Sequence, residues 1–176
     1  MQRYLDLKYL QSLDIQPYWF GLGFVKLEIQ PDIDLHFWSK NFPLTNTNEI
    51  HNHWRSFRSW ILKGSIENKI YKIHPEQGQT YVHTVLEIDK PLKELSDAKL
   101  TLDSCLVYGQ GCDYYMEKTI LHDADFQDAT ITVLKYSGES RSSIDIFRKP
   151  NTAHAKPRID YPVEQLWQEI QRIIEK

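Results

Sequence analysis

The sequence predicts an all-β protein of antiparallel sandwich or jelly-roll type, closed by one C-terminal α-helix. Three observations predict it. Short segments of alternating apolar and polar residues follow one another from Phe24 to Ile146, with turn signals between them. Tyr (10) and Trp (5) are plentiful in 176 residues, and aromatic side chains pack well on pleated surfaces. After Pro162 the period changes: Val163, Leu166, Trp167, Ile170, Ile173 and Ile174 fall on one helical stripe.

Taken in order, Tyr4, Leu5, Leu7 and Leu10 give the first dozen residues the apolar side of a short helix, which Pro17 ends. Residues 24–29 (Phe-Val-Lys-Leu-Glu-Ile) alternate as a strand does, and 35–38 form another. Residues 41–48, with Pro43 and three asparagines, read as a loop. Strand patterns follow at 49–53, 57–63, 66–74, 80–88, 99–107, 113–122, 129–136 and 142–147. Pro75-Glu76-Gln77-Gly78 and Gly109-Gln110-Gly111 are typical of the turns between them. Residues 149–160 read as irregular surface chain. The helix spans about 162–175, with proline in its first turn and Asp160 or Tyr161 flanking it as cap. It packs on the outside of the sheet or forms a dimer contact. No linker divides the chain, so residues 1–176 read as one domain.

Composition excludes several classes. The formal net charge is -3, with no basic cluster of the kind that nucleic-acid binders present. No apolar run approaches the roughly 20 residues that span a bilayer. The N-terminus is mixed and charged, unlike a signal peptide. Two cysteines, Cys105 and Cys112, are too few for a disulfide framework and read as buried, reduced thiols of a cytoplasmic protein.

The chemistry concentrates in His51-Asn52-His53. Two histidines one apart on a strand point the same way, because strand side chains alternate with period 2. That is half of a metal site; His122 supplies a third imidazole if the sheet folds back on itself. The plainer reading is a polar strand face without metal. Arg55 and Arg58 beside the pair suit an anionic substrate, since guanidinium matches carboxylate or phosphate in a two-pronged geometry, unless both face solvent. Tyr115, on the strand leading to His122, is placed to donate a hydrogen bond or proton, or else packs as an aromatic. Trp54 and Trp60 shape a pocket mouth or fill a core. His36, His74 and His154 lack ligand spacing and read as structural or exposed. His83 shares parity with Tyr81 and Val85 and is a candidate to line the interior.

Ten residues, 54–63, separate His53 from Gly64. At this point the chain resembles the cupin superfamily, small jelly-roll β-barrels whose first motif has two histidines one apart, then a glutamate, then a glycine. Gly109-Gln110-Gly111 and the later His122 resemble the second motif. Phe57, Ser59, Leu62 and Gly64 further resemble a bacterial and phage subgroup in which Phe-x-Ser and an aliphatic pair precede the glycine. The resemblance covers about residues 20–148. It implies a cupin jelly-roll barrel with one divalent metal ion (Fe, Zn, Mn or Ni) held by His51, His53 and His122. It also implies a small-molecule ligand inside the barrel and a possible homodimer. The motif glutamate is missing: after three intervening residues stands Phe57. Glu49 shares strand parity with the pair and is a substitute carboxylate. Three-histidine sites without carboxylate occur in thiol dioxygenases, which are cupins, and hold Fe(II).

The leading expectation is therefore a metal-dependent oxygenase or isomerase with His51, His53 and His122 as ligands, Tyr115 and Arg55 as catalytic residues, and Arg58, Trp60 and His83 as substrate-binding residues. The alternatives are a non-catalytic binding or interaction module on the same barrel, and a metal-independent sugar-nucleotide epimerase using His53 or His83 with Tyr115.

Overall fold

The computed structural model of the protein describes residues 2–44, 49–154 and 158–176. Its strands, numbered in chain order, form two antiparallel sheets. The six-stranded sheet runs, in spatial order, β1 (Tyr18–Phe20), β2 (Phe24–Gln30), β3 (Ile33–Trp38), β12 (Thr130–Ser137), β5 (Ser56–Lys63) and β10 (Asp113–Met116). The seven-stranded sheet runs β13 (Ser143–Arg148), β4 (Ile50–His51), β11 (Leu121–Phe126), β6 (Ser65–His74), β9 (Ala98–Gly109), β7 (Gln79–Glu87) and β8 (Lys93–Glu94). β13 also pairs with β7, from Ser143 opposite Glu87 to Arg148 opposite Val82, so the second sheet curls back on itself. Ile50, Tyr81, Leu100, Leu121 and Phe147 pack inside that curl.

The period-2 pattern of the six-stranded sheet sorts its residues onto two buried faces. Val25, Leu27, Leu35, Phe37, Ile131 and Val133 form the outer core. The residues between them, among them Phe24, Lys26, Asp34, His36, Thr132 and Leu134, line a cavity between the sheets. The outer core is covered by α2 (Val163–Glu175), which buries Leu166, Ile170 and Ile173, and by Tyr4 and Leu10 near the short helix α1 (Leu7–Gln11). The apolar stripe of α2 thus packs largely within the chain, on the outside of the sheet, with Val163 left exposed. Lys63 Nζ donates to the carbonyls of Ile173 and Ile174 at 2.8 and 2.9 Å, satisfying last-turn acceptors that a helix cannot pair internally. The helix begins at Val163 behind Pro162, with neither Asp160 nor Tyr161 as its cap. No described helix is long and apolar enough to cross a membrane.

Most strands fall within a residue or two of the alternation in the sequence. Two segments differ. Of residues 49–53 only Ile50–His51 is strand, and the His53 amide leaves the ladder to donate to the Lys118 carbonyl at 3.1 Å. The expected strand 113–122 is two strands in different sheets, β10 and β11, separated by a turn closed by the Ile120 amide on the Glu117 carbonyl. Strands β1 and β8 are too short to show a period. Part of the expected loop, residues 45–48, lies outside the described residues, as do residues 155–157 of the expected surface chain. Cys105 and Cys112 are both exposed rather than buried, because β9 runs out beyond the packed part of its sheet and Cys112 sits in the turn before β10.

Gly64 joins β5 to β6 at φ +73°, and a Cβ there would lie 2.2 Å from Thr130 Oγ1 and 2.9 Å from Thr130 Cα. Gly64→Ala combines left-handed strain with a clash against backbone, an expected loss of at least about 2 kcal/mol. Thermal unfolding should show this as a midpoint lowered by roughly 4–8 °C.

Candidate metal centre

β4 lies between β13 and β11, and its register sets His51 directly opposite His122. Cross-strand partners on one face are close neighbours, and the two rings lie 5.1 Å apart. His53, two residues on, still faces the cavity, with its ring 4.9 Å from both. One ring nitrogen from each of the three lies within 4.8 Å of the other two.

Hydrogen bonds fix which nitrogens converge. His51 Nδ1 is 3.2 Å from the Glu49 carbonyl. A carbonyl only accepts, so Nδ1 carries the proton and Nε2 keeps its lone pair. His122 Nδ1 stands 3.2 Å from Oδ1 of the buried Asn68, on β6, with the same result. His53 Nε2 then donates its proton to His122 Nε2 at 2.7 Å. A metal ion would take the place of that proton. Burial holds the His53 and His122 pKa values well below the ordinary histidine range, and His51 is lowered too. Mutual repulsion adds to this at His53 and His122. All three are therefore neutral, the form that ligates.

The donor set fits a divalent transition metal. Imidazole nitrogen suits Zn, Cu, Fe and Ni, and backbone or amide acceptors orient the far nitrogen of two ligands, as metal-bound histidines require. Two nitrogens at 2.0–2.1 Å from an ion stand at most about 4 Å apart, so side-chain adjustment of about an ångström closes the cluster.

The site opens into a cavity of about 1150 Å³ between the sheets. Its walls differ in chemistry. Phe20, Phe24, Trp38 and Phe126 make an aromatic end. Elsewhere Lys26 Nζ and the Tyr136 hydroxyl both contact Asp34 Oδ2 at 2.7 Å, and Lys26 also meets Glu28 at 3.3 Å. Desolvation pushes the Asp34 carboxyl up and the Tyr136 phenol far up, so Tyr136 is held as a hydrogen-bond donor.

The expected substrate residues are placed unevenly. Arg55 lies in the cavity wall, donating to the Gly138 carbonyl at 3.2 Å with its guanidinium 5.8 Å over the Tyr136 ring, and Trp54 lines the same cavity. Tyr115 points outward and is 55% exposed; its neighbour Tyr114 faces the cavity. The reason is that β10 takes its facing from β5, where Tyr115 is opposite outward Arg58 and Tyr114 opposite inward Ser59. Arg58 pairs with Asp113 at 3.5 Å on that outer face. Trp60 packs into the outer core near α2. His83 faces the curl of the second sheet, stacked on Phe147 at 4.3 Å and bonded to Asp145 at 3.0 Å. The histidine–tyrosine pairing that an epimerase would need is therefore not assembled from His53 or His83 with Tyr115. The Glu49 carboxylate turns to His154 Nδ1 at 2.8 Å instead of the histidine cluster.

Asn68, Tyr114, His36 and the Lys26–Asp34–Tyr136 group were not legible as site residues. The signal for Tyr114 and His36 was parity with inward residues of their own strands, which needs the strand ends to be known. Nothing local marks Asn68.

No model of a known protein family matches the chain, and no curated protein matches it in sequence.

Two outcomes follow from this geometry. Asn68→Ala strips the orienting acceptor from His122 and should weaken divalent-metal affinity by roughly 10–100-fold, read by competition with a chelating dye. Because the three native pKa values lie below the unfolded value near 6.5, the unfolded chain takes up protons first as pH falls. Metal-free protein should thus hold its stability above about pH 6.5 and lose it progressively below, followed by denaturant midpoints across pH.

Proposed function

We propose that the protein is a metal-dependent small-molecule enzyme of the cupin type, with one divalent ion held by His51, His53 and His122. The observation that carries this reading is the convergence of three neutral imidazole nitrogens within 4.8 Å on the wall of a deep cavity. Two antiparallel sheets, with His51 on β4, His122 on β11 and His53 just past β4 all lining the cavity, support that reading. The ion would act there as a Lewis acid or as an oxygen-binding centre, Fe(II) in the second case. Asn68 and the Glu49 carbonyl orient the ligands, and the Tyr136 hydroxyl and Arg55 stand in the wall where a bound molecule is positioned. The cavity is large enough for a drug-sized ligand, which favours a small-molecule substrate over a purely structural ion.

Elemental analysis of protein purified without chelator or affinity tag tests the reading, beside the His51→Ala/His53→Ala double variant. About one ion per chain in the wild type and none in the variant is the expected result. Iron would direct the search to oxygen-dependent substrates, and zinc, manganese or nickel to isomerisation or hydrolysis. Absence of metal in both, even after reloading with divalent ions, overturns the proposal.

A further inference from the structure

His36 is a buried polar residue of the cavity that the metal centre does not use. It faces inward from β3, 6% exposed, with its ring lying on Phe24 at 4.0 Å and 14°. Phe24 in turn stacks on Phe20 at 4.9 Å and 4°. Trp38 meets His36 edge-on at 6.0 Å and packs against Phe126 at 5.0 Å. Nε2 of His36 is shut away from solvent with no hydrogen-bond partner among the described residues. A buried polar atom without a partner is unfavourable, and an apolar ring at this position would avoid that cost. Rotation of the ring about χ2 carries Nε2 to the opposite edge while keeping the ring plane, so the stack on Phe24 survives and the nitrogen can meet a new partner.

We propose that His36, with the rings of Phe20, Phe24, Trp38 and Phe126, is the specificity subsite of this cavity. Its ligand class is a small aromatic molecule carrying one neutral hydrogen-bonding group. The inference rests on the small-molecule reading of the cavity given above. The aromatic walls supply apolar area and ring-on-ring contact; the imidazole supplies the single polar contact that fixes orientation. An ionic group is disfavoured at this end. Lys26, opposite His36 across the β2–β3 pair, is already held by Asp34 at 2.7 Å, and burial keeps His36 neutral. The aromatic end and the three histidines line one and the same cavity, so a molecule seated on His36 shares that space with the metal centre.

The test uses phenol and toluene as probes, titrated calorimetrically into metal-free protein. The two share a ring and differ in the hydroxyl. A dry apolar cavity would prefer toluene, whereas a site with a waiting hydrogen-bond partner should bind phenol about tenfold more tightly. His36→Phe keeps the stack and should abolish the preference while retaining toluene binding. His36→Gln keeps a hydrogen-bonding group and should retain the preference, and it decides the matter if the phenylalanine variant does not fold. Equal binding of both probes by the wild type, no binding of either, an unchanged preference in His36→Phe, or loss of the preference in His36→Gln overturns the proposal. Metal uptake by the same protein on reloading with divalent ions separates the two readings. A phenol preference in a protein that takes up no metal sinks the metal centre and leaves the subsite. Metal uptake without the preference sinks the subsite alone.

Discussion

Where β2, β3 and β12 lie together, the six-stranded sheet has both faces withdrawn from bulk water, and the rest of the structure depends on how each is covered. Its outer face is filled by Leu166, Ile170 and Ile173 of the C-terminal helix together with Tyr4 and Leu10. Burying apolar side chains of this size contributes about 1.5–3 kcal/mol each before conformational entropy is subtracted. With the outer face supplying that core, the inner face need not be filled with side chains. It carries Lys26, Asp34, His36, Thr132 and Tyr136 among its apolar residues, a mixture unsuited to a packed interior but suited to a lined cavity.

The opposite wall solves a different problem. Three imidazoles are brought together on the wall of the cavity, partly shielded from water, where a proton on one raises the cost of charging its neighbours. Neutrality is thereby favoured, and the hydrogen bonds to Asn68 and to the Glu49 carbonyl choose the tautomer within it. Desolvation, usually a penalty on polar groups, here acts in favour of ligation, because it removes the competing protonated form.

Much of this was legible along the chain. Alternation located most strands of both sheets, since a strand covered on both sides by different surroundings still repeats every second residue. The helix from Val163 onward and the pairing of His51 with His53 were legible for the same reason, being local patterns. What failed was parity carried across a break. Tyr115 and His122 were counted along one strand, yet the turn at residues 117–120 places them in different sheets, and facing is not conserved through it. Arg58 and Trp60 lay on the correct strand but on its outer face, which Phe57 and Ser59 could have revealed. Glu49 had the right parity, but the strand begins only at Ile50, so its carboxylate turns away to a partner far along the chain. Asn68 and the aromatic setting of His36 arise from contacts between distant segments, for which one sequence holds no pattern.

Glu49 gives that last contact a wider meaning. Its carbonyl receives the His51 ring, while its carboxylate holds His154, 105 residues away in sequence. Arg148 donates to the other nitrogen of His154 at 3.2 Å, so the chain leaving β13 is tied down at the same point. The order of this late segment and the order of the first ligand are therefore one entropic expense rather than two. Chain docked at residue 154 restricts where Glu49 stands, and His51 shares that restriction. Preorganisation of the centre thus reaches past the residues that surround it, to an irregular stretch of chain linked to it through Glu49 and His154.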